Sequence, residues 1–297
     1  MNQRQGCRRI LAFYTRKEAK NVSAKPPFQL QADCENCFGL CCVALPYAKS
    51  ADFPIDKESG TPCRNLQPDY RCGIHQALRE KGFKGCTVYE CFGAGQKVSQ
   101  VTYAGKDWRN HPDTAKEMFE VFPIMQQLHE MLAYLHEALN RKETEPIFKD
   151  LQAALEQTEA LTGLNPESII SLNVPAHRFI VNELLIRTSE LVRKNTAPKK
   201  AKKLDYIGAK LKGANLMGAS LRGALLIAAD LRNADMRLAD MIGADLRDAD
   251  LSGADLRGSI FLTQVQVNSA RGDRETKLPD GLKKPDHWIE NNKRIGG

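Results

Sequence analysis

Eight of the nine cysteines of this 297-residue chain fall between Cys34 and Cys91. Their order is Cys34-x2-Cys37-x3-Cys41-Cys42, followed by Cys63, Cys72, Cys86 and Cys91, with Cys7 alone outside. A CxxC pair lets two thiolates meet one ion from a single tight turn, and four thiolates close a tetrahedral zinc site with Zn–S near ~2.3 Å. Thiolates serve iron–sulfur clusters equally well. His75 follows Cys72 at Cys-x2-His spacing and could replace one thiolate. Three readings of the cluster stand side by side. The thiols could be disulfides or buried free cysteines. They could hold a structural ion that replaces an interior the segment lacks. They could form a metal site with chemistry of its own. Thiols in a reducing compartment favour metal over disulfides.

Other catalytic patterns are missing from the sequence, with no GxxxxGK[ST], HExxH or GxSxG. Gly93-Ala94-Gly95 is a bare GxG beside Cys91, read as a backbone turn around a ligand rather than a phosphate cradle. Cys7 has Arg8 and Arg9 as neighbours and reads as an incidental thiol.

Positioning these groups falls to the rest of the chain. The composition, 42% hydrophobic and 27% charged, is that of an ordinary globular protein. No apolar run reaches the ~18–20 residues of a membrane span. The basic N-terminus carries no signal-peptide core, which predicts a cytoplasmic protein without membrane contact. Net charge is +7. Residues 1–30 carry seven Lys/Arg against Glu18, a local +6. Residues 193–203 add six Lys/Arg and no acid, so the remainder sums to 7 − 6 − 6 = −5. Basic arms can grip phosphate, but no base-reading motif accompanies them.

Six zones are expected. Residues 1–25 form a basic flexible arm. Residues 26–105 form a cysteine-rich domain that buries too little apolar surface to fold without a staple. Residues 106–195 are helical, 196–203 a basic linker, 204–270 a repeat module, and 271–297 a C-terminal cap and tail. In the helical zone, Met118, Phe122, Met125, Leu128, Leu132, Leu135 and Leu139 recur at steps of three and four. Asp113 is the expected N-cap, and Pro123 predicts a kink or late start. A second helix is expected from Pro146 to before Gly163, burying Phe148, Leu151 and Leu155. A third should start at Pro175 and bury Ile180, Leu184 and Leu191. His129, His136 and His177 read as ordinary helix residues rather than ligands.

The repeat is the clearest pattern in the chain. Alanine occurs at ten successive positions spaced by five, from Ala209 to Ala254, each followed two residues later by Leu or Met. Tyr206 precedes this series and Phe261 continues it. Period five fits neither a helix nor a flat strand. Alanine and leucine two apart point to one side of an extended segment. The remaining residues must then turn corners, so that the chain closes into stacked coils.

Units such as ADLRN (229–233), ADLRD (244–248) and ADLRG (254–258) resemble the pentapeptide-repeat family, A(D/N)LXX. That resemblance implies a right-handed quadrilateral parallel β-helix with four units per coil. Twelve units would make about three coils, roughly 14 Å tall at strand spacing. The segment 263–279 resembles the tail that caps such repeats. Some family members occupy type II topoisomerases by mimicking DNA. Here the aspartates at 230, 235, 240, 245, 250 and 255 have arginines at 232, 237, 247 and 257 close by, which leaves the module nearly neutral.

DCENCFGLCC (33–42), with PCRNL (62–66) and CGIHQ (72–76), resembles the YkgJ-like CxxCxxxCC family of zinc- or iron-chelating proteins. The ligands this resemblance implies are Cys34, Cys37, Cys41, Cys42, Cys63, Cys72, Cys86 and Cys91. Ile74-His75 and Lys84-Gly85-Cys86 depart from the family's pattern and leave the exact set open. Adjacent Cys41 and Cys42 seldom bind one ion, so two sites or a structural thiol are both allowed. A related cysteine pattern accompanies a flagellin lysine methylase activity.

The expectation is a multidomain, non-catalytic protein that binds zinc or iron, with the β-helix offering a rigid surface to an unidentified protein partner. The alternatives are a metal- or iron–sulfur-dependent enzyme working at Cys34–Cys91, and a protein that binds DNA or a topoisomerase.

Overall fold

The computed structural model describes residues 30–196 and 205–290. The basic arm at 1–25, nearly all of the 196–203 linker and the tail after 290 lie outside them. No helix among the described residues is long and apolar enough to cross a membrane.

Residues 30–110 are mostly loops and short turns. They contain α1 (Leu40–Val43), α2 (Lys84–Thr87) and α3 (Ala94–Gln96), and α3 runs into a π-turn at Lys97–Thr102. The middle region is helical, as its periodicity predicts. It comprises α4 (Pro112–Leu139), α5 (Phe148–Thr162), α6 (Pro166–Ile170) and α7 (Val174–Arg193).

Several boundaries differ from expectation. His111 rather than Asp113 occupies the N-cap of α4, because Pro112 takes the first turn, where its missing N–H costs nothing. Pro123 sits inside an unbroken 28-residue helix, held by packing on both sides. A 3₁₀ turn at Lys142–Ile147 precedes α5, so the α-helix begins at Phe148 rather than Pro146. Phe148 and Ile180 were expected to be buried but are 38% and 50% exposed. The bundle closes instead on Leu151, Leu155, Val181, Leu184 and Leu185. Helix α6, capped by the Asn165 side chain, has too short a pattern to be read from sequence.

The repeat region coils. Parallel bridges join residues twenty apart: Asp205 to Leu225, Lys210 to Asp230, Asn215 to Asp235 and Ser220 to Asp240, continuing up to Asp240 with Ile260. Twenty residues are four pentapeptides, so each coil has four sides. Each side contributes a single bridge, and no run is long enough to count as a strand among the described residues. The inward positions from Ala219 to Leu256 are at most 4% exposed and form one continuous core. In the units that carry Asp or Asn at the second position, its side chain accepts the N–H of the residue two further on, as Asp235 does from Arg237 at 3.2 Å. That bond is why a short polar side chain is needed there. The fifth position turns the corner with positive φ. Glycine usually fills it, but Ala228, Asn233, Leu238 and Asp248 adopt φ of 54–57° there.

Phe261 departs from the series. With φ of 60° it leaves the bore and packs at 5.6 Å edge-on to Tyr134 in the helical core. Glu137 accepts the Phe261 N–H at 3.0 Å and pairs with Arg141 at 2.9 Å, while Arg141 also reaches the Ser259 carbonyl at 3.0 Å. This clamp joins α4 to the end of the coil. At the other edge of the helices, Arg222 bonds Asn182 at 2.6 Å and the fully buried Asp240 at 2.9 Å.

The segment after the repeats opens with α8 (Gln264–Ser269), where Thr263 and Gln266 form a capping box. Arg271 and Lys277 then pair with the last coil. Trp288, from α9 (Asp286–Glu290), plugs the end and donates to the Ala270 carbonyl at 2.9 Å.

Candidate metal centre

Two cysteine loops share a local sequence and a local shape. Cys37-Phe38-Gly39-Leu40 and Cys91-Phe92-Gly93-Ala94 both carry Cys-Phe-Gly before a helix. Gly39 and Gly93 take φ of 66° and 80° and cap α1 and α3. The left-handed glycine folds backbone N–H groups back on the sulfur. Those of Leu40 and Gly39 point at Cys37, and those of Gly95 and Gly93 point at Cys91. A side chain at Gly39 would also meet the Tyr70 carbonyl at 2.9 Å. The first loop is held by Trp108, which donates to the Phe38 carbonyl at 2.8 Å, and by Phe38 N–H donating to Ser99 at 3.0 Å. Loops that aim N–H groups at sulfur favour the thiolate, which is the metal-binding form.

Cys34 lies in a 3₁₀ turn capped by Asp33. Cys63 receives the Tyr47 hydroxyl at 3.4 Å, and its N–H donates to the Cys42 carbonyl at 2.8 Å. Cys42 and Cys72 are close neighbours through sulfur. Cys41 and Cys42 Sγ lie 4.0 Å apart. Cys86 is exposed on α2, with Cys63 and Cys72 as its electrostatic neighbours.

Among the described residues, no three donors from His, Cys, Asp and Glu converge tightly enough to enclose an ion. The thiols share one region as contacts and near neighbours rather than as a closed cage. His75 is exposed, and its backbone N–H donates to the Cys72 carbonyl at 3.3 Å. His129 is buried and bonds the Phe92 carbonyl at 2.8 Å, and His177 bonds Thr158 at 2.8 Å. Both are buried core residues.

Burial raises the Cys37 thiol to about 11 despite its two N–H partners, and it likewise raises Cys86 to about 11. Cys34 and Cys91 are pushed up for the same reason. Cys42 is raised first by its sulfur contact with Cys41, and Cys72 by its contact with Cys42. A cluster this desolvated resists ionisation unless positive charge is supplied. Lys57 supplies some of it. It is 7% exposed, and its Nζ donates to the carbonyls of Val43, Glu58 and Thr61 at 2.9–3.1 Å. Cys63, Cys42 and Cys41 face it. A soft, thiol-only donor set, N–H groups aimed at sulfur and a buried cation fit a thiolate-bound metal.

A cleft of about 420 Å³ lies beside Cys91, where the cysteine region, α4 and the coil meet. Tyr89, Glu90, Phe92, Glu130, Tyr134 and Arg247 are among its lining. The Tyr89 hydroxyl is buried with no hydrogen-bond partner, and Cys41, Cys91 and Cys37 are its electrostatic neighbours. Burial raises the Glu90 carboxyl.

The pentapeptide-repeat family model matches residues 207–237 and 224–261, with eight copies. Over 266 residues, 88% of this chain and 95% of the relative, the sequence is 68% identical to the uncharacterized protein YybG of Bacillus subtilis (strain 168). The chain belongs to the YybG family. The match to YybG extends well beyond the repeats, so cysteine region, helices and coil form one shared architecture rather than a repeat with unrelated additions.

Sequence reading missed three participants. The Cys-Phe-Gly repeat was visible as a recurring tripeptide but was hidden by attention to cysteine spacing alone. Lys57 gave no signal, since a lone lysine in a polar loop reads as solvent-exposed. Tyr89 is two residues from Cys91 and could have been flagged only by position.

Proposed function

We propose that this member of the YybG family binds metal through its cysteine region, as zinc, iron or an iron–sulfur cluster, and that the β-helix is a rigid platform for a protein partner. The YkgJ-like resemblance of residues 33–91 and the right-handed coil implied by the repeats belong to this reading. The observation that carries it is the pair of matching Cys-Phe-Gly loops, which turn N–H groups onto Cys37 and Cys91 in the same compact region as the other six thiols. A purely apolar interior has no need of such loops. The residues that would hold metal are Cys34, Cys37, Cys41, Cys42, Cys63, Cys72, Cys86 and Cys91, and the metal would supply the cross-link that the thin apolar interior lacks. Elemental analysis of protein purified without oxygen tests this. Zinc or iron in stoichiometric amount is expected, and a well-folded, metal-free preparation under reducing conditions would overturn it.

A second reading, a metal-dependent enzyme, is favoured by the cleft beside Cys91. Visible absorption from an iron–sulfur cluster would support it, and colourless zinc protein would favour a structural role. A nucleic-acid or topoisomerase role has less support on the coil. Asp230, Asp235, Asp245 and Asp255 each carry their own arginine at 2.6–2.7 Å, which cancels the negative surface DNA mimicry requires.

A further inference from the structure

One side of the coil shows what its outward positions become when something packs on them. On the side formed by residues 219–222, 239–242 and 259–262, the outward pair changes from Ser220 and Arg222 to Asp240 and Ile242, then to Ile260 and Leu262. Ile242 and Ile260 pack into the helical core. The covering elements are the amphipathic helices α4 and α7. Polar contacts fasten them, Arg141 to the Ser259 carbonyl and Arg222 to Asn182. Apolar outward residues on this coil thus mark a side that a helix covers.

Another side carries the same signal without the cover. Parallel bridges put Asp205, Leu225 and Asp245 in one column. Ile207, Ile227 and Arg247 form a second column beside it. Gly208 N–H donates to the Ile227 carbonyl and Ala228 N–H to the Arg247 carbonyl, both at 2.8 Å, which keeps the columns in register. On the remaining two sides the matching positions hold Lys, Asn, Asp, Arg or Ser, with Met217 the exception. Ile207 is 55% and Leu225 39% exposed, and Ile227 is half-buried. Contiguous apolar surface of this kind marks an interaction site.

The ledge fits a narrow element. Three side chains fall far short of the roughly 800 Å² per partner that a stable dimer buries. Above them Arg247 bonds Asp52 at 3.0 Å, so the cysteine region meets the top coil there. Ile207 to Arg247 is two coil steps, roughly 10 Å, or about two turns of helix. At its upper end the ledge reaches the cleft, whose lining sets Glu90, Glu130 and Asp245 against the single cation Arg247. Arg247 is already held by Asp245 and Asp52, and Glu130 pairs with Arg178 at 3.2 Å. Glu90 accepts the Phe92 N–H at 2.9 Å, and no described residue forms an ion pair with it. The rings of Phe92 and Tyr134, 6.3 Å apart, line the same cleft. A carboxylate near aromatic rings attracts an ammonium or guanidinium group.

Building on the reading of the β-helix as a platform for a protein partner, we propose that the partner's binding element is a short basic amphipathic helix. Its apolar face lies on Ile207, Leu225 and Ile227, and a lysine or arginine near its end enters the cleft towards Glu90.

The test titrates a labelled leucine–lysine amphipathic peptide onto the full chain by fluorescence anisotropy, with hydrogen exchange locating the bound peptide. Protection is expected at residues 205–208, 225–228 and 88–92. The decisive variant is Leu225→Asp/Ile227→Arg. It gives this unit the Asp and Arg already present at 230 and 232, 235 and 237, 245 and 247, and 255 and 257, so the coil stays folded. It should weaken the peptide at least about tenfold, while Arg232→Ala on a neighbouring side should leave binding unchanged. Glu90→Gln should weaken it about threefold and reduce its salt dependence. A leucine–glutamate peptide of the same pattern should not bind. Equal binding by the double variant, or protection on a different side of the coil, would overturn the ledge and leave the platform reading standing. No protection anywhere on the coil would count against both. A concentration-dependent dimer of the full chain, abolished by the double variant, would make the occupant a second copy and overturn the proposal.

Discussion

The coil and the cysteine region solve the same problem by opposite means. The coil takes a large apolar side chain from every fifth residue, and Leu221 through Leu256 leave the inward positions essentially without exposed surface. Its backbone N–H and carbonyl groups are satisfied by the coil above or below, as with Leu231 N–H to Asp250 carbonyl at 2.9 Å. Each unit is therefore self-sufficient apart from its neighbours. The loops around Cys42, Cys63, Cys72 and Cys86 have three buried side chains and few long-range backbone pairs. Where periodicity builds the interior, the sequence can change at the surface without harm. Where chemistry must build it, single side chains carry the structure.

The largest expected effect would break this contrast outright. C63S/C72S should unfold the cysteine region while leaving the coil intact, seen as one lost and one retained thermal transition. A single transition for the whole chain would show that the two regions stand or fall together. Asp240→Ala should cost about 1–3 kcal/mol, because it removes the buried carboxylate that pairs with Arg222 and accepts the Ile242 N–H. Urea denaturation measures it, and a cost under 1 kcal/mol would mean that the coil does not depend on this buried pair. Leu231→Ala, at 0% exposure, should cost about 2–5 kcal/mol by opening a cavity in the bore.

A finer test concerns the link between the cysteine region and α4. Burial lowers His129 from 6.5 to about 4, so the folded protein keeps it neutral where the unfolded chain is already protonated. Stability should therefore fall as pH drops from about 6.5 towards 4, by about 2 kcal/mol between pH 7.5 and 5. His129→Gln should flatten that slope, and an unchanged slope would place the acid sensitivity elsewhere. The smallest effect sharpens the account of the coil. Ala228 turns a corner at φ 54°, so Ala228→Gly should raise stability by about 1 kcal/mol.

Sequence legibility followed the same divide. Every inward position of the coil from Ala209 to Leu256 could be read from spacing, because one local rule repeats and the fold adds little to it. The rule failed at Phe261, where a neighbouring helix offered the ring a better partner in Tyr134. Helix α4 was legible from its apolar stripe, but Phe148 and Ile180 were not, since periodicity shows that a helix has an apolar face and not how wide the covering surface is. In the cysteine region the ligand candidates were plain. Their arrangement in space was not, because it depends on loops whose conformation rests on Gly39 and Gly93.

Hydrogen exchange on the full chain before and after chelation is the most direct test of whether a metal substitutes for the missing interior. Amides between residues 40 and 90 should lose protection when metal is removed under reducing conditions, while those between 206 and 260 should keep it. Unchanged protection in both regions, in protein shown to hold no zinc or iron, would contradict the account.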